Sequence, residues 1–487
     1  MYFRMGFLML ISLYTSRVIL QQLGVVNYGI YNLVGSVIMM FSALKEIFAN
    51  STTRFLSFEL GQHNEENLNL IYNLSIYVNG IISIILVLLV EIVGVWFLEN
   101  KINVPPERLF AAHVVFQLSL ISTVISIMTT PFNAEIMAHE RMDFYAYLSI
   151  FEGCAKLGIC FLLPLFPYDR LIFYGFLLLL ITFVVQIVDF FFCRRNFDEC
   201  RFRRCWDKEY FKKMTSFAGW SFLGNTSNTL AQNGVNMIFN VFGGPVVNAA
   251  RGISYQVSNA VSQFINSVAI VTTPFSVKTY AAGEYEKYFS IFHITSKLYF
   301  LIEITFTIIL SFLATEIIQF WLGQTPPYTI VFVNLVLLQA VIRSLCGPLG
   351  VLFFANGNIK YVQIAEGIIL ALPVLISYIL LKLGYPYYTA FISMIVCEVI
   401  RIMALLYLAK KIVRLNIPNY VLRVLLPCLL CLTVYGIGYY YTQTAIQETG
   451  IKIISALIIC ISVVLIMYVL GTTAKERQLI KSLIKKK

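Results

Sequence analysis

Continuous apolar runs of about 20 residues recur from one end of this chain to the other, and that length is what a helix needs to cross bilayer hydrocarbon. Residues 171–192 and 453–471 are examples. Within the runs apolar residues do not alternate with polar ones, which excludes barrel strands. Of the 487 residues 59% are hydrophobic and only 13% charged, against roughly 25% charged in a soluble domain. Mean hydropathy is +0.78. The chain reads as an all-α polytopic membrane protein.

The runs predict about fourteen spans, at residues 3–21, 30–49, 71–96, 110–130, 145–166, 171–192, 216–241, 247–270, 293–320, 329–354, 361–381, 388–409, 424–441 and 453–471. Turn-rich breaks separate them, including Pro105-Pro106, Gly243-Gly244-Pro245, Pro326-Pro327 and Gly384-Tyr385-Pro386. The first run begins almost at Met1 and lacks a small-residue cleavage site, so it reads as an uncleaved signal anchor. Of the 36 Lys and Arg, 25 fall in segments on the side of the N-terminus and 6 opposite, which predicts cytoplasmic N- and C-termini. That bias explains the net charge of +11 without nucleic acid, and the basic tail 481–487 suits anionic membrane lipids.

The chain also repeats itself. Val25-Val26-Asn27 recurs as Val246-Val247-Asn248, Thr52-Thr53-x-Phe55 as Thr272-Thr273-x-Phe275, and Pro131, Ala138 and Phe144 as Pro348, Ala355 and Tyr361. The near-constant offset equals six spans, so two pseudo-symmetric six-helix lobes are related by an axis along the membrane normal, followed by two additional C-terminal helices. The predicted domains are 1–200, 201–415, and 416–487 with its basic tail.

Amides recur at helical spacing inside two of these spans. Asn225, Asn228, Gln232, Asn236 and Asn240 step by 3, 4, 4 and 4; Asn248, Arg251, Tyr255, Asn259, Ser262 and Asn266 step by 3, 4, 4, 3 and 4. Each set falls on one helix face. Lipid satisfies none of these groups, so the faces are expected to line a hydrated cavity; interhelical hydrogen bonding is the structural alternative. Arg251 shares the second face. Arg17 lies within span 1 with no acid in that span, and its guanidinium fork suits a pyrophosphate; the alternative is an Arg that snorkels to headgroups. Arg343 stands in span 10 with no acid within a turn, as a cavity cation or as an ion-pair partner of Glu303 or Glu366. Glu152 with Lys156, and Glu398 with Arg401, are spaced to neutralise each other locally.

No catalytic constellation emerges. The four histidines (His63, His113, His139, His293) are scattered, Cys193, Cys200 and Cys205 sit in a basic loop without metal-ligand spacing, and Cys428-x-x-Cys431 lies in an apolar span without a neighbouring His. No metal, cofactor or disulfide is expected, and the absence of paired carboxylates or a sizeable outer loop argues against an enzyme.

A doubled six-helix bundle with two further helices resembles the multidrug/oligosaccharidyl-lipid/polysaccharide (MOP) superfamily. Residues 15–41, TSRVILQQLGVVNYGIYNLVGSVIMMF, followed by NSTTRFLSFELG at 50–61, resemble the amino-terminal signature of bacterial O-antigen and capsule polysaccharide flippases. That resemblance covers the chain in layout and is specific over residues 10–61. It implies translocation of a polyprenyl-pyrophosphate-linked oligosaccharide across the bacterial inner membrane by alternating access, with polysaccharide polymerase and glycosyltransferases as partners. LKEIFAN, at 44–50, resembles the end of span 2 in lipid II flippases, where Lys45 would line a cationic central cavity; the alternative is a cytoplasmic-end anchor. Relatives often begin earlier than Met1. A lipid II flippase, or a drug/cation antiporter of the same superfamily, remains an alternative; neither the glycan, nor coupling to a Na+ or H+ gradient, is legible.

Overall fold

The computed structural model describes residues 48–96, 106–165, 167–203, 205–322, 327–445 and 448–472, together with scattered positions between 6 and 31 and positions 325, 476 and 477. These residues are overwhelmingly helical, with no strand among them, and eleven helices are long and apolar enough to cross a membrane. Arg17 and Lys45 lie outside the described residues, as do the side chains of Gln232, Asn240 and Asn248. Two compact units divide the chain, Met1–Gly219 and Trp220–Lys487.

In the first unit the long helices are α1 (Glu65–Leu89), α2 (Leu109–Met128), α4 (Met142–Leu162) and α5 (Arg170–Asn196), with the short α3 (Thr130–Ala138) between α2 and α4. Their starts are chemically marked. Asn64 accepts from the Asn67 N–H at the head of α1, and Asp169 Oδ1 accepts from the Leu171 and Ile172 N–H groups at the head of α5, the expected use of Asn and Asp as N-caps. Arg108 forks onto the same Asp169 at 2.8 and 3.2 Å, tying the start of α2 to that of α5. Leu86, Val90, Ala112, Val115, Phe116 and Leu171 form the core between these helices, each at most 1% exposed.

In the second unit follow α6 (Lys208–Ala281, whose first residues belong to the first unit), α7 (Tyr285–Phe312), α8 (Ala314–Leu322), α9 (Thr329–Ser344), α10 (Cys346–Asn356), α11 (Lys360–Lys382), α12 (Tyr388–Ile412), α13 (Leu426–Ala445) and α14 (Thr449–Leu470). Gly357, at φ +88°, closes α10 in the left-handed conformation that glycine adopts without strain. Phe239, Phe332 and Phe391 are fully buried against one another, with ring centroids 4.7–5.8 Å apart. On α14 only Ala456, Cys460, Val463 and Met467 are buried, at steps of 4, 3 and 4, while Ile454, Leu457, Ile461, Leu465 and Val469 are exposed. A helix apolar all round yet packed along one stripe faces hydrocarbon with the rest.

Two features bear on the site. Helical hydrogen bonding runs through the expected break at Gly243-Gly244-Pro245, so α6 spans 74 residues. Yet Arg251 Nη1 donates to Asn236 Oδ1 at 2.9 Å, fifteen positions away. A straight helix would separate those residues by about 22 Å. The chain therefore reverses between them, and α6 is a hairpin of two arms. The second feature is Pro373, buried inside α11, which offers no N–H to the Ile369 carbonyl one turn earlier.

Candidate functional site

The second unit contains two neighbouring cavities built from both arms of the α6 hairpin and from α7, α9, α10, α11 and α12. The larger, about 360 Å³, is lined by Asn228, Ser262 and Asn266 of α6, Tyr299 and Glu303 of α7, Arg343 and Ser344 of α9, and Arg401 of α12. The smaller, about 60 Å³, is lined by Asn228 and Tyr255, Gln339 and Arg343, Leu370 and Pro373, and Glu398 and Arg401. Asn228, Arg343 and Arg401 border both. Helical spacing does the positioning: Tyr299 and Glu303, and Gln339 and Arg343, are i,i+4 pairs that face one way. The larger volume lies at the small end of the range that holds organic ligands.

The sequence-predicted residues fare unequally. Asn228, Asn266 and Arg343 line the cavities. Asn225 and Asn259 are exposed and line neither of these two. Asn236 and Arg251 bond to each other across the hairpin. Arg251 is only 6% exposed, with its guanidinium 4.5 Å from the Tyr255 ring centroid and 5.7 Å from that of Phe239. It packs behind Tyr255 and so shapes the smaller cavity through that ring.

The charges sort into a tied set and an open one. Arg401 donates to Glu366 Oε1 from Nε at 2.8 Å and from Nη2 at 2.6 Å, and to Glu398 Oε2 from Nη1 at 3.3 Å. The local pairing expected of Glu398 and Arg401 is present, with Glu366 added as the closer partner. Arg343 is then left with Glu303, which lines the same cavity and feels its charge. Glu303 is 1% exposed, and its Oε1 has no hydrogen-bond partner among the described residues. Arg343 and Arg401 thus stand with Glu303 and Glu398 at the cavity walls, and Glu366 is bonded to Arg401 from beside them. Tyr299 and Gln339 were not singled out from sequence, although each sits at i,i+4 from a charge inside an apolar span, the same signal that marked the amide stripes.

In sequence the chain matches no family model and no curated protein. In structure it is similar to an outward-facing multidrug resistance MATE family transporter of the MOP superfamily, at TM-score 0.70 and 15% identity, over 85% of this chain and 94% of that one. It is also similar to a MATE transporter in the bent conformation at TM-score 0.72 and 16% identity, over 84% and 93%. A MOP superfamily transporter from Pyrococcus furiosus Vc1, described as having a binding pocket of reversed polarity that suggests a different function, aligns at TM-score 0.65 and 16% identity, over 84% and 93%. A chain whose described residues include eleven helices long and apolar enough to cross a membrane thus has the fold of the MATE transporters.

Proposed function

We propose that this protein is a flippase that carries a polyprenyl-pyrophosphate-linked oligosaccharide, of O-antigen, capsule or exopolysaccharide type, across the bacterial cytoplasmic membrane. The observation that carries the reading is the larger cavity, where amide, hydroxyl and guanidinium groups of Asn228, Ser262, Asn266, Tyr299 and Arg343 converge inside a unit of membrane-grade helices. A glycan's hydroxyls cannot cross hydrocarbon unsatisfied, and such a lining replaces their water while the prenyl tail stays in lipid. The paired charges at the cavity walls suit the sugar portion; Arg17 and Lys45 of the amino-terminal lobe are the cations proposed for the diphosphate. Both termini are cytoplasmic in this reading, and transport proceeds by alternating access of the two lobes.

The test is surface polysaccharide in a deletion strain complemented with wild type or with Asn228→Leu, Arg343→Ala, Arg17→Ala and Lys45→Ala at matched expression. Export lost with the deletion and reduced by these variants is the expected result; unchanged export after deletion overturns the proposal. Glu303 favours a second reading, a drug/cation antiporter, because a buried carboxyl whose Oε1 has no hydrogen-bond partner among the described residues is suited to bind a proton or Na+. Resistance to cationic dyes that needs Glu303, with polysaccharide intact, would select it.

A further inference from the structure

One of the four scattered histidines, His139, meets two glutamates. His139 stands at the C-cap of α3, one turn beyond Glu135, and the loop after α5 returns Glu199 to the same point. His139 Nε2 lies 2.5 Å from Glu199 Oε1 and 3.7 Å from Glu135 Oε2. One donor atom from each of the three lies within 4.8 Å of the others. Sequence spacing hid this cluster because sixty positions separate His139 from Glu199.

We propose that Glu135, His139 and Glu199 form a site for one divalent transition-metal ion of the Zn2+ type. Carboxylate oxygen and imidazole nitrogen are ligands this ion accepts. Tetrahedral bonds of about 2.0 Å place ligand atoms about 3.3 Å apart, so the Glu135–His139 spacing needs little change and Glu199 draws back by about 1 Å. Glu135 is the second, independent sign. Its side chain is fully buried and neither carboxylate oxygen has a hydrogen-bond partner among the described residues. His139 Nε2 sits between two glutamate side chains and leaves both Glu135 oxygens unsatisfied, and a bound cation would satisfy them. His139 and Glu199 keep 24% and 13% side-chain exposure, which gives an ion its way in and leaves room for water as a further ligand.

The surroundings hold the donors as a second shell should. The His139 ring stacks on Phe197 at 4.1 Å and 14°. Asn69 Nδ2 donates to the Glu199 and Arg201 carbonyls at 2.7 and 2.9 Å, and Asn73 Oδ1 accepts from the Arg203 N–H at 2.9 Å. These bonds pin the loop that delivers Glu199. Cys193 and Cys200 are buried close by, but neither sulfur joins the three donor atoms that lie within 4.8 Å of one another, so the oxygen–nitrogen set is the primary one. Such an ion would clip the loop to the end of α3.

The experiment uses the full chain in detergent, stripped with a chelator and titrated with Zn2+ against a chromophoric competitor, with X-ray absorption on the loaded protein. One Zn2+ per chain with only oxygen and nitrogen ligands is expected. Glu199→Gln and His139→Ala should each weaken binding by about 100-fold or more, since even outer-shell changes cost 10–100-fold. The double variant C193S/C200S should keep the ion. Should Glu135→Gln fail to fold, Glu199→Gln, on the loop, still decides. No Zn2+ on the stripped wild type, unchanged affinity in Glu199→Gln, or sulfur in the coordination shell would each overturn the site. None of these readouts depends on transport.

Discussion

Arg401→Met tests whether the tied charges of the second unit are structure or cargo site. The substitution removes three charge-assisted hydrogen bonds, at 2.6, 2.8 and 3.3 Å, and strands two carboxylates whose side chains are 15% and 5% exposed. Breaking a buried pair from one side costs about 3–5 kcal/mol. At 1.36 kcal/mol per decade, the lower figure shifts the unfolding equilibrium by about two decades. Replacing the whole network by apolar residues of similar volume is often neutral, so the triple variant R401M/E366L/E398L should regain most of the loss. The assay is reversible unfolding in mixed detergent–SDS micelles, with a double-mutant cycle between Arg401→Met and Glu366→Gln that should return a coupling of about 2 kcal/mol. If Arg401→Met unfolds like wild type yet abolishes export, the arginine serves the cargo and the structural argument is refuted.

Three further outcomes are expected. Glu303→Gln should leave stability near wild type, because no hydrogen bond to its Oε1 is lost; in a gradient-coupled transporter it should cut transport by about tenfold or more, a coupling of at least ~1.4 kcal/mol, read in vesicles with and without an imposed gradient. Asn69→Leu deletes two bonds to the loop after α5 at about 1 kcal/mol each, and faster tryptic cleavage after Arg201 is the readout. Lys297 Nζ donates to the Gly471 carbonyl just past α14 at 2.9 Å and to Glu476 at 2.7 Å, a cation placed where a helix C-terminus favours one; Lys297→Met should speed amide exchange around 467–472, and unchanged exchange would show that the contact holds nothing.

Much of the fold was legible because lipid imposes one rule on every span, and hydropathy reads that rule directly. The hairpin of α6 was legible in its arms and in its breaking residues, although backbone hydrogen bonding persists through the expected turn. Half of the site was legible for a similar reason: an amide in an apolar span needs a polar neighbour, and periodicity shows which amides share one. Partner choice was not: spacing paired Arg401 with Glu398 and offered Glu366 to Arg343, and only packing of α11 against α12 hands Glu366 to Arg401. The cluster around His139 was illegible on the same ground, since helix ends far apart along the chain meet only once the bundle forms.

Pro373 divides α11 into unequal mechanical halves. Glu366, fastened to Arg401, stands before the proline, and the missing bond at Ile369 comes after that anchor. Bending at this joint strains no hydrogen bond that a proline-free helix would first have to break, and it leaves the moored half in register. The far half is held by its own contacts, Ser377 with Ser393 on α12 and Tyr378 with Phe242, so any bend at the joint acts on the small chamber that Pro373 itself borders.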